Sequence, residues 1–348
     1  MRRVAAKIFS WNAEPERPLG TGHQFHVRIQ EITWQFYKNL AEALFFLGRR
    51  QDAMKYASQA VEVAKEFGAH DLRLGKSLSA LGLLHCYAGN HGEAEHLLKR
   101  ALAILAKARG GDHPDVATAL FNLAGVYKLQ GKHEDALTEY ETALEISERG
   151  LGPKHPEVAL VLEAIGEVSM SLGRRSAALF ALRRALAIKE EVLGREDWGT
   201  AVTLGKLGEY YVEEGRHSEA ETLFWRALAI KQNIVGKDDP SLARDLKRLA
   251  LVYISQQKFV QAEVLYTRSL EMLERALGRN HPEIISTLRN LAKAYKEQGL
   301  LSEARRLLEV SLAILHEALG PEHPETAVTL EFYSEMLRAL ELDATHRI

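Results

Sequence analysis

The sequence repeats itself with a period of 42 residues. One series of glycines recurs at this interval from Gly68 to Gly320, and a second series, offset by 21 residues, runs from Gly89 to Gly299. Gln257 is the one member of the second series that is not glycine. A fixed period of this length is typical of solenoids, in which each repeat is a small unit of secondary structure that packs only against its neighbours.

Each period predicts two antiparallel helices joined by a tight turn, which we name helix A and helix B. Glycine ends helices because it adopts left-handed backbone angles without steric cost. Proline follows most glycines of the first series by four residues, as in Gly152 and Pro156, and it suits the first turn of a helix. Between these marks, apolar residues recur every three or four positions, as in Leu120, Leu123 and Tyr127, which is the helical period.

Small residues predict how the two helices of a repeat pack. Helix A carries Gly or Ala directly after a large apolar residue, and helix B carries an alanine in each repeat from Ala94 to Ala304. Small side chains let antiparallel helices approach closely. We therefore expect these two series to face each other. The helix A residues are Ala124, Gly166, Gly208, Ala250 and Ala292.

These marks resemble a known repeat family. The pattern Leu-Ala-x-x-Tyr…Gly-x-x-x-x-Ala…Tyr…Ala-Leu over residues 123–144 resembles the tetratricopeptide repeat, whose usual unit is about 34 residues. The longer unit, with its Leu-Gly-x-x-His-Pro loops, is similar to the repeats of kinesin light chains. The resemblance covers about residues 27–340. It implies an all-α fold, a right-handed superhelical α-solenoid of antiparallel helix pairs, with about seven repeats and a capping helix.

The repeat pattern divides the chain into three segments. Residues 1–26 are predicted to form a flexible arm, residues 27–341 the repeat array, and residues 342–348 a C-terminal tail. The final helix, about residues 323–341, has no helix B after it and is predicted to cap the array. An aromatic cluster at the front predicts extra core packing, or else a docking surface or dimer contact. Its members are Trp34, Phe36, Tyr37, Phe45 and Phe46.

Composition excludes several classes of protein. The formal charge of -2 argues against a nucleic-acid binder, which needs a basic excess to neutralise phosphates. No apolar run approaches the roughly 20 residues that span a bilayer, so membrane insertion is not expected. Cys86 is the only cysteine, which excludes an intramolecular disulfide. We expect a cytoplasmic protein, although the basic residues Arg2, Arg3 and Lys7 leave a mitochondrial targeting segment as the alternative.

The resemblance also implies which residues line the concave groove of the array. If the Leu before the small residue of helix A is taken as the seventh position, the second, fifth, sixth, ninth and twelfth positions face the groove. Two repeats then supply a mainly acidic set: Glu163, Glu167, Lys206, Glu209 and Glu213. The next two supply a mainly basic set: Arg244, Lys247, Arg248, Arg289, Asn290, Lys293 and Lys296. Asn122 and Lys128 occupy groove positions of an earlier repeat.

The basic set predicts an acidic peptide as the ligand. Arginine forms bidentate hydrogen bonds to carboxylates, and asparagine can bond the C=O and N–H groups of an extended backbone. Kinesin light chains bind acidic peptides that carry a Trp, and the resemblance strengthens the prediction. A solvated charged helix face is the alternative. We therefore predict an adaptor or scaffold that binds partner proteins in the groove. The alternatives are a peptide-responsive regulatory sensor and a structural subunit of an organelle complex.

No arrangement of residues predicts an enzyme, a cofactor or a metal site. The glycines mark helix ends and do not form a phosphate-binding loop. His113, His155, His281 and His323 recur once per repeat, too far apart to share one ion, and are predicted to be cap and loop residues. The densest group of possible ligands, His85, Cys86, His91 and His96, points in different directions and is not predicted to bind zinc. The oligomeric state stays open.

Overall fold

The structure, a computed structural model, describes residues 22–346, with side-chain surroundings for residues 27–339. Most of the predicted arm, and with it the possible targeting segment, lies outside the described residues. The described chain is helical and divides into two compact units, residues 1–146 and 147–348. Within the described residues the first helix begins at Gly22 and the last ends at His346, so both helices run beyond the predicted bounds of the array.

From Gly22 on, where the structure describes it, the first unit contains five helices and most of a sixth. Their bounds are α1 (Gly22–Phe46), α2 (Arg50–Lys65), α3 (Leu72–Tyr87), α4 (His91–Arg109), α5 (Pro114–Leu129) and α6 (His133–Leu151). The core of this unit holds the aromatic residue Trp34, whose indole Nε1 donates a hydrogen bond of 2.8 Å to the Ser77 hydroxyl on α3. Tyr37 and Phe45 pack against the same core, whereas Phe36 and Phe46 are exposed. The aromatic cluster therefore contributes only in part to packing.

The described residues of the second unit, 147–346, contain nine further helices in the same alternation of helix A and helix B. Their bounds are α7 (Pro156–Ser171), α8 (Arg175–Val192), α9 (Trp198–Glu213), α10 (His217–Val235), α11 (Ala243–Ser255), α12 (Phe259–Leu277), α13 (Ile285–Glu297), α14 (Leu301–Ala318) and α15 (Pro324–His346). Short 3₁₀ turns, Pro240–Leu242 and Pro282–Ile284, precede α11 and α13. The final helix α15 buries Met336 against Ala304 and Leu308, as the predicted capping role requires.

The two glycine series end helices in two different ways. Glycines of the second series close the turn between helix A and helix B with left-handed backbone angles. Gly173 does so at φ 69°, and the backbone N–H of Arg174 then donates a hydrogen bond to the Ser169 carbonyl. In the first series, Gly110, Gly236 and Gly278 instead adopt φ near 90° with extended ψ, which is 161° at Gly236, a region that is essentially restricted to glycine. Gln257 keeps the left-handed angle of its series, with φ 60°.

Helix A starts with a side-chain cap in nearly every repeat. His113, His155, His281 and His323 each accept, through Nδ1, a hydrogen bond from the backbone N–H two residues ahead. Asp71, Asp197 and Asp239 perform the same task with a carboxylate. The histidines are therefore N-caps, as predicted, and their ring nitrogens satisfy helix donors that would otherwise lack a partner.

The small residues of helix A pack closely on helix B, as predicted, but the nearest atoms of helix B belong to its large residues. A Cβ added at Gly166 would lie 2.7 Å from Leu182 and 3.5 Å from the carbonyl oxygen of Ala178. At Gly208 it would lie 2.6 Å from the ring of Phe224. Close approach of helix A and helix B in these two repeats therefore depends on the missing side chain.

Neighbouring repeats share a polar contact that the sequence analysis did not predict. A glutamate on helix B accepts a hydrogen bond from a glutamine at the C-terminus of the next helix A, as Glu95 does from Gln130 at 3.0 Å in the first unit. Hydrogen bonds from Lys99, Gln130 and Lys132, in that order, lower the pKa of Glu95 to about 2. In the second unit Glu221 accepts from Gln256 at 3.0 Å, so the contact recurs.

Candidate functional site

The candidate site is the helix A surface of the second unit, the side of α7, α9, α11 and α13 that carries the predicted groove positions. Its acidic half differs from the prediction at Glu163, which is 2% exposed and does not line a surface. Glu163 accepts hydrogen bonds from Lys189 Nζ at 2.5 Å, from Lys206 Nζ at 3.0 Å and from the Thr203 hydroxyl. This carboxylate therefore joins α7, α8 and α9 within the protein.

Lys206 is held on the same surface by two carboxylates. Its Nζ lies 3.0 Å from Glu163 and 2.7 Å from Glu167. Burial acts to lower the pKa of Lys206, but the attraction of Glu163 and Glu167 outweighs it and the pKa is raised. The ammonium group therefore stays charged and already has partners, so it has little capacity for a ligand carboxylate.

A second buried ion pair lies one repeat further along. Lys231, on α10, contacts Asp245 on α11 at 2.7 Å, and both side chains are almost completely buried. Arg248 bridges Asp245 at 3.3 Å and Glu209 on α9 at 2.5 Å. Neither Lys231 nor Asp245 was among the predicted site residues.

The basic half carries less free positive charge than the sequence predicts. Arg248 is neutralised as described, and α15 supplies partners for two more cations. Arg289 lies 2.7 Å from Glu325, and Lys296 lies 3.2 Å from Glu335. The count of groove residues thus overstates the positive charge, because it ignores the carboxylates that the neighbouring helices bring to the same surface.

Lys247 differs from these cations. Its side chain is half-buried, and its only hydrogen bond is to the Ser286 hydroxyl at 3.4 Å, with no carboxylate at ion-pair distance among the described residues. Burial lowers the pKa of Lys247, and the neighbouring Arg244 adds to this effect against the attraction of Glu283. Arg244 and Lys293 are exposed, and Asn290 is half-buried on α13. These four residues are the part of the predicted site that can accept an acidic ligand.

The two site residues predicted in the first unit are engaged within the chain. Asn122 Nδ2 donates to the Ser79 hydroxyl at 3.3 Å, and Lys128 is half-buried with interactions of its own. A cavity of about 380 Å³ opens in this unit between α1 and α3, and it is lined mainly by apolar residues that include Phe45, Leu84 and Tyr87.

The helix A surface of the second unit also contains a cavity of about 480 Å³. It lies where α7, α9 and α11 adjoin. Its apolar lining is Met170, Leu182, Val212, Phe224 and Leu251, and its charged or polar lining is Glu167, Ser171, Lys206, Glu209, Glu213 and Arg248. The cavity can therefore receive an apolar side chain beside charged groups.

Neither a metal centre nor a membrane-crossing helix is found in the part of the chain that the structure describes. No group of three His, Cys, Asp or Glu side chains there is arranged to hold an ion. Burial raises the pKa of the Cys86 thiol, which disfavours the thiolate that binds zinc. None of the described helices combines the length and the apolar character that crossing a bilayer requires.

The family model for the tetratricopeptide repeat matches most of the chain. The matched segments overlap along residues 35–107, 76–149, 115–191, 178–233, 199–275 and 241–317. This chain belongs to the tetratricopeptide repeat family. The predicted all-α repeat solenoid is confirmed, and tetratricopeptide repeats form a protein-interaction fold.

Comparison with solved structures supports the resemblance to kinesin light chains. BtubC (BKLC) from P. vanneervenii is 27% identical and covers 65% of this chain and 91% of its own length, with a TM-score of 0.58. The kinesin light chain TPR-like repeats of Podosopora anserina are 24% identical, cover 60% of this chain and 98% of their own length, and give a TM-score of 0.53. The apo form of RapI, 17% identical, shares the fold over 81% of this chain and 97% of its own length, with a TM-score of 0.60. A search of curated protein sequences gave no significant match.

Proposed function

We propose that this tetratricopeptide repeat protein is an adaptor that binds acidic peptide segments of partner proteins on α11 and α13. The observation that carries the proposal is Lys247, a half-buried cation with a lowered pKa and no carboxylate partner among the described residues. Keeping such a charge out of water costs free energy unless a counter-charge is supplied. A carboxylate from a bound partner supplies it.

The residues around Lys247 fit the same ligand. Arg244 lies one helical turn before Arg248 on α11, and its exposed guanidinium can form two parallel hydrogen bonds with a carboxylate. Lys293 adds an exposed positive charge on α13, and Asn290 offers an amide that can bond the ligand backbone. Arg248, Arg289 and Lys296 contribute positive potential, but each first satisfies a carboxylate of its own chain.

The test is peptide binding by a charge-reversal variant and its matched control. Fluorescence anisotropy would follow Asp/Glu-rich peptides on the wild type and on the triple variant Arg244→Glu, Lys247→Glu and Lys293→Glu. The control reverses three exposed cations outside α11 and α13 that form no ion pair among the described residues: Arg195, Lys237 and Arg306. Both variants change the net charge equally, so only the location of the charge differs.

We expect the triple variant to lose at least tenfold in affinity and to lose the salt dependence of binding, because charge-assisted contacts at a partly buried site are worth more than exposed ones. The control should bind as the wild type does. Equal losses in both variants would indicate a general charge effect, and unchanged binding in the triple variant would contradict the proposal. Single substitution of Arg248 or Arg289 is a poorer test, because it also breaks an intramolecular ion pair.

We also propose a cytoplasmic location, with mitochondrial import as the alternative. Fractionation of cells that express the chain with a C-terminal tag would separate the two. Recovery of a shortened chain in mitochondria would contradict the cytoplasmic location.

A further inference from the structure

The cavity of about 480 Å³ on the second unit has an apolar floor and wall. Leu182 and Phe224 reach it from helices B by packing against Gly166 and Gly208, where no Cβ intervenes. Leu251 forms part of the wall and remains 46% exposed, although it is a large apolar residue. An apolar side chain of a ligand would therefore remove this surface from water.

The charged rim of the cavity is mainly negative. Lys206 and Arg248 are each held by two carboxylates of the protein. Glu213, by contrast, is exposed and has no ion-pair or hydrogen-bond partner among the described residues. The rim therefore complements a positive charge near Glu213, whereas the Lys247 region complements a negative one.

We infer that this cavity takes an apolar side chain of the segment bound at Lys247, and that Glu213 selects a lysine or arginine beside that side chain. The inference rests on the proposed function and specifies its ligand: an acidic residue, an apolar anchor and a basic residue in one short segment. Lys247 and Leu251 are one helical turn apart on α11, roughly 6 Å. An extended peptide advances about 3.3 Å per residue, so the acidic residue and the anchor stand about two positions apart.

The first arm of the test examines the anchor. The probes are fluorescein-labelled peptides with two aspartates, a one-residue spacer, a leucine and an arginine, compared with the same peptide carrying alanine for leucine. We expect Leu251→Ala to weaken the leucine peptide about three- to tenfold and to leave the alanine peptide unchanged. Leu160→Ala is the matched control, because Leu160 is 48% exposed on α7 but does not line the cavity. Circular dichroism would verify that both variants are folded.

The second arm examines the basic residue. The wild type should prefer arginine over aspartate next to the leucine, and Glu213→Lys should reverse this preference. Glu317→Lys is the control, because Glu317 is an exposed glutamate on α14, outside α11, α13 and the cavity lining. A preference that is the same in the wild type and in Glu213→Lys would overturn the role of Glu213.

The arms separate this inference from the proposed function. If acidic peptides bind and respond to the triple charge reversal, yet neither leucine nor arginine matters, the inference fails and the proposed function stands. If no acidic peptide binds, a leucine–arginine peptide without aspartates is the deciding probe. If that peptide binds the wild type but not Leu251→Ala, the result would support the role of the cavity alone. If it does not bind, both the inference and the proposed function are overturned.

Discussion

Two neighbouring parts of the second unit use charge in opposite ways. On α7 and α9, Glu163 and Lys206 are paired inside the protein, and Glu163 is buried against Lys189. On α11 and α13, Lys247 is half-buried without a counter-charge among the described residues. Equivalent positions of the repeat thus stabilise the packing in one part and remain available for a ligand in the other. The partners that the neighbouring helices supply decide which: Glu163 meets Lys189 on α8, whereas Lys247 meets only the Ser286 hydroxyl in the part of the chain that the structure describes.

The largest expected effect tests this contrast through stability. Glu163→Ala leaves Lys189 as a buried ammonium without its partner, and loss of one member of a buried ion pair costs about 3–5 kcal/mol. Lys247→Ala should change the free energy of unfolding by less than about 1 kcal/mol, since no ion pair is broken. Urea unfolding followed by circular dichroism measures both. Similar losses in the two variants would show that the contrast is wrong, and Glu167→Ala, at a partly exposed ion pair, is the control.

The second test exchanges the small helix A residues of α9 and α11, which are Gly208 and Ala250. Gly208→Ala would place a Cβ 2.6 Å from the buried ring of Phe224, and such overpacking costs about 1–3 kcal/mol. The equivalent residue on α11 is already Ala250, so Ala250→Gly should cost at least about 1 kcal/mol, through helix propensity and the loss of a buried methyl group. Thermal unfolding measures both. A stabilising Gly208→Ala would mean that helix A can move away from α10 without loss.

The sequence predicted the repeat accurately because its signals are local. Glycine angles, the His113 cap and the small-residue contacts all follow from residues within one repeat. The charge pattern was not predicted, because it depends on contacts between helices. Lys189 and Lys231 stand one period apart on helix B, where the other repeats have Leu, Ser or Val, and this substitution is the one signal that could have revealed the buried pairs.

The pairing of the basic half was missed for a related reason. Glu325 and Glu335 lie on α15, which the repeat pattern predicts only as a cap, yet they neutralise Arg289 and Lys296. A count of charges on groove positions treats each helix as if it stood alone. The two pairs are separated by 36 and 39 residues, which is almost one period. Such pairs can be predicted only when neighbouring helices A are considered together.

A third test concerns the turns that follow α9 and α11. Gly215 closes the first turn at φ 70°, whereas Gln257 must adopt φ 60° in the second. A residue with a Cβ loses about 1–2 kcal/mol in the left-handed region, and glycine avoids this cost. Part of the advantage of glycine is offset because its unfolded state is more flexible. Gln257→Gly should therefore stabilise the protein by about 0.5–1 kcal/mol in urea unfolding. Gly215→Gln should destabilise it, and a gain from both substitutions would contradict the argument.

The smallest effect compares the two groove lysines directly. The pKa of Lys206 is raised above the ordinary lysine value of 10.5 by Glu163 and Glu167, which outweigh its burial, whereas burial and Arg244 lower the pKa of Lys247 below it. Lys206 therefore contributes stability below about pH 10.5 that is lost as the pH rises through its folded pKa. Lys247 instead costs stability at neutral pH, and this cost is relieved between its folded pKa and 10.5.

Carbon-13 NMR titration of the lysine Cε signals measures both values, with Lys206→Arg and Lys247→Arg providing the assignments. We expect Lys247 to lose its proton at a lower pH than Lys206 does. Addition of an acidic peptide should raise the pKa of Lys247, because the incoming carboxylate stabilises the ammonium form. It should leave that of Lys206 nearly unchanged, since its carboxylate partners are already in place. If the peptide changed the pKa values of Lys206 and Lys247 equally, it would act through the general electrostatic potential of the surface. That outcome would contradict direct binding at Lys247.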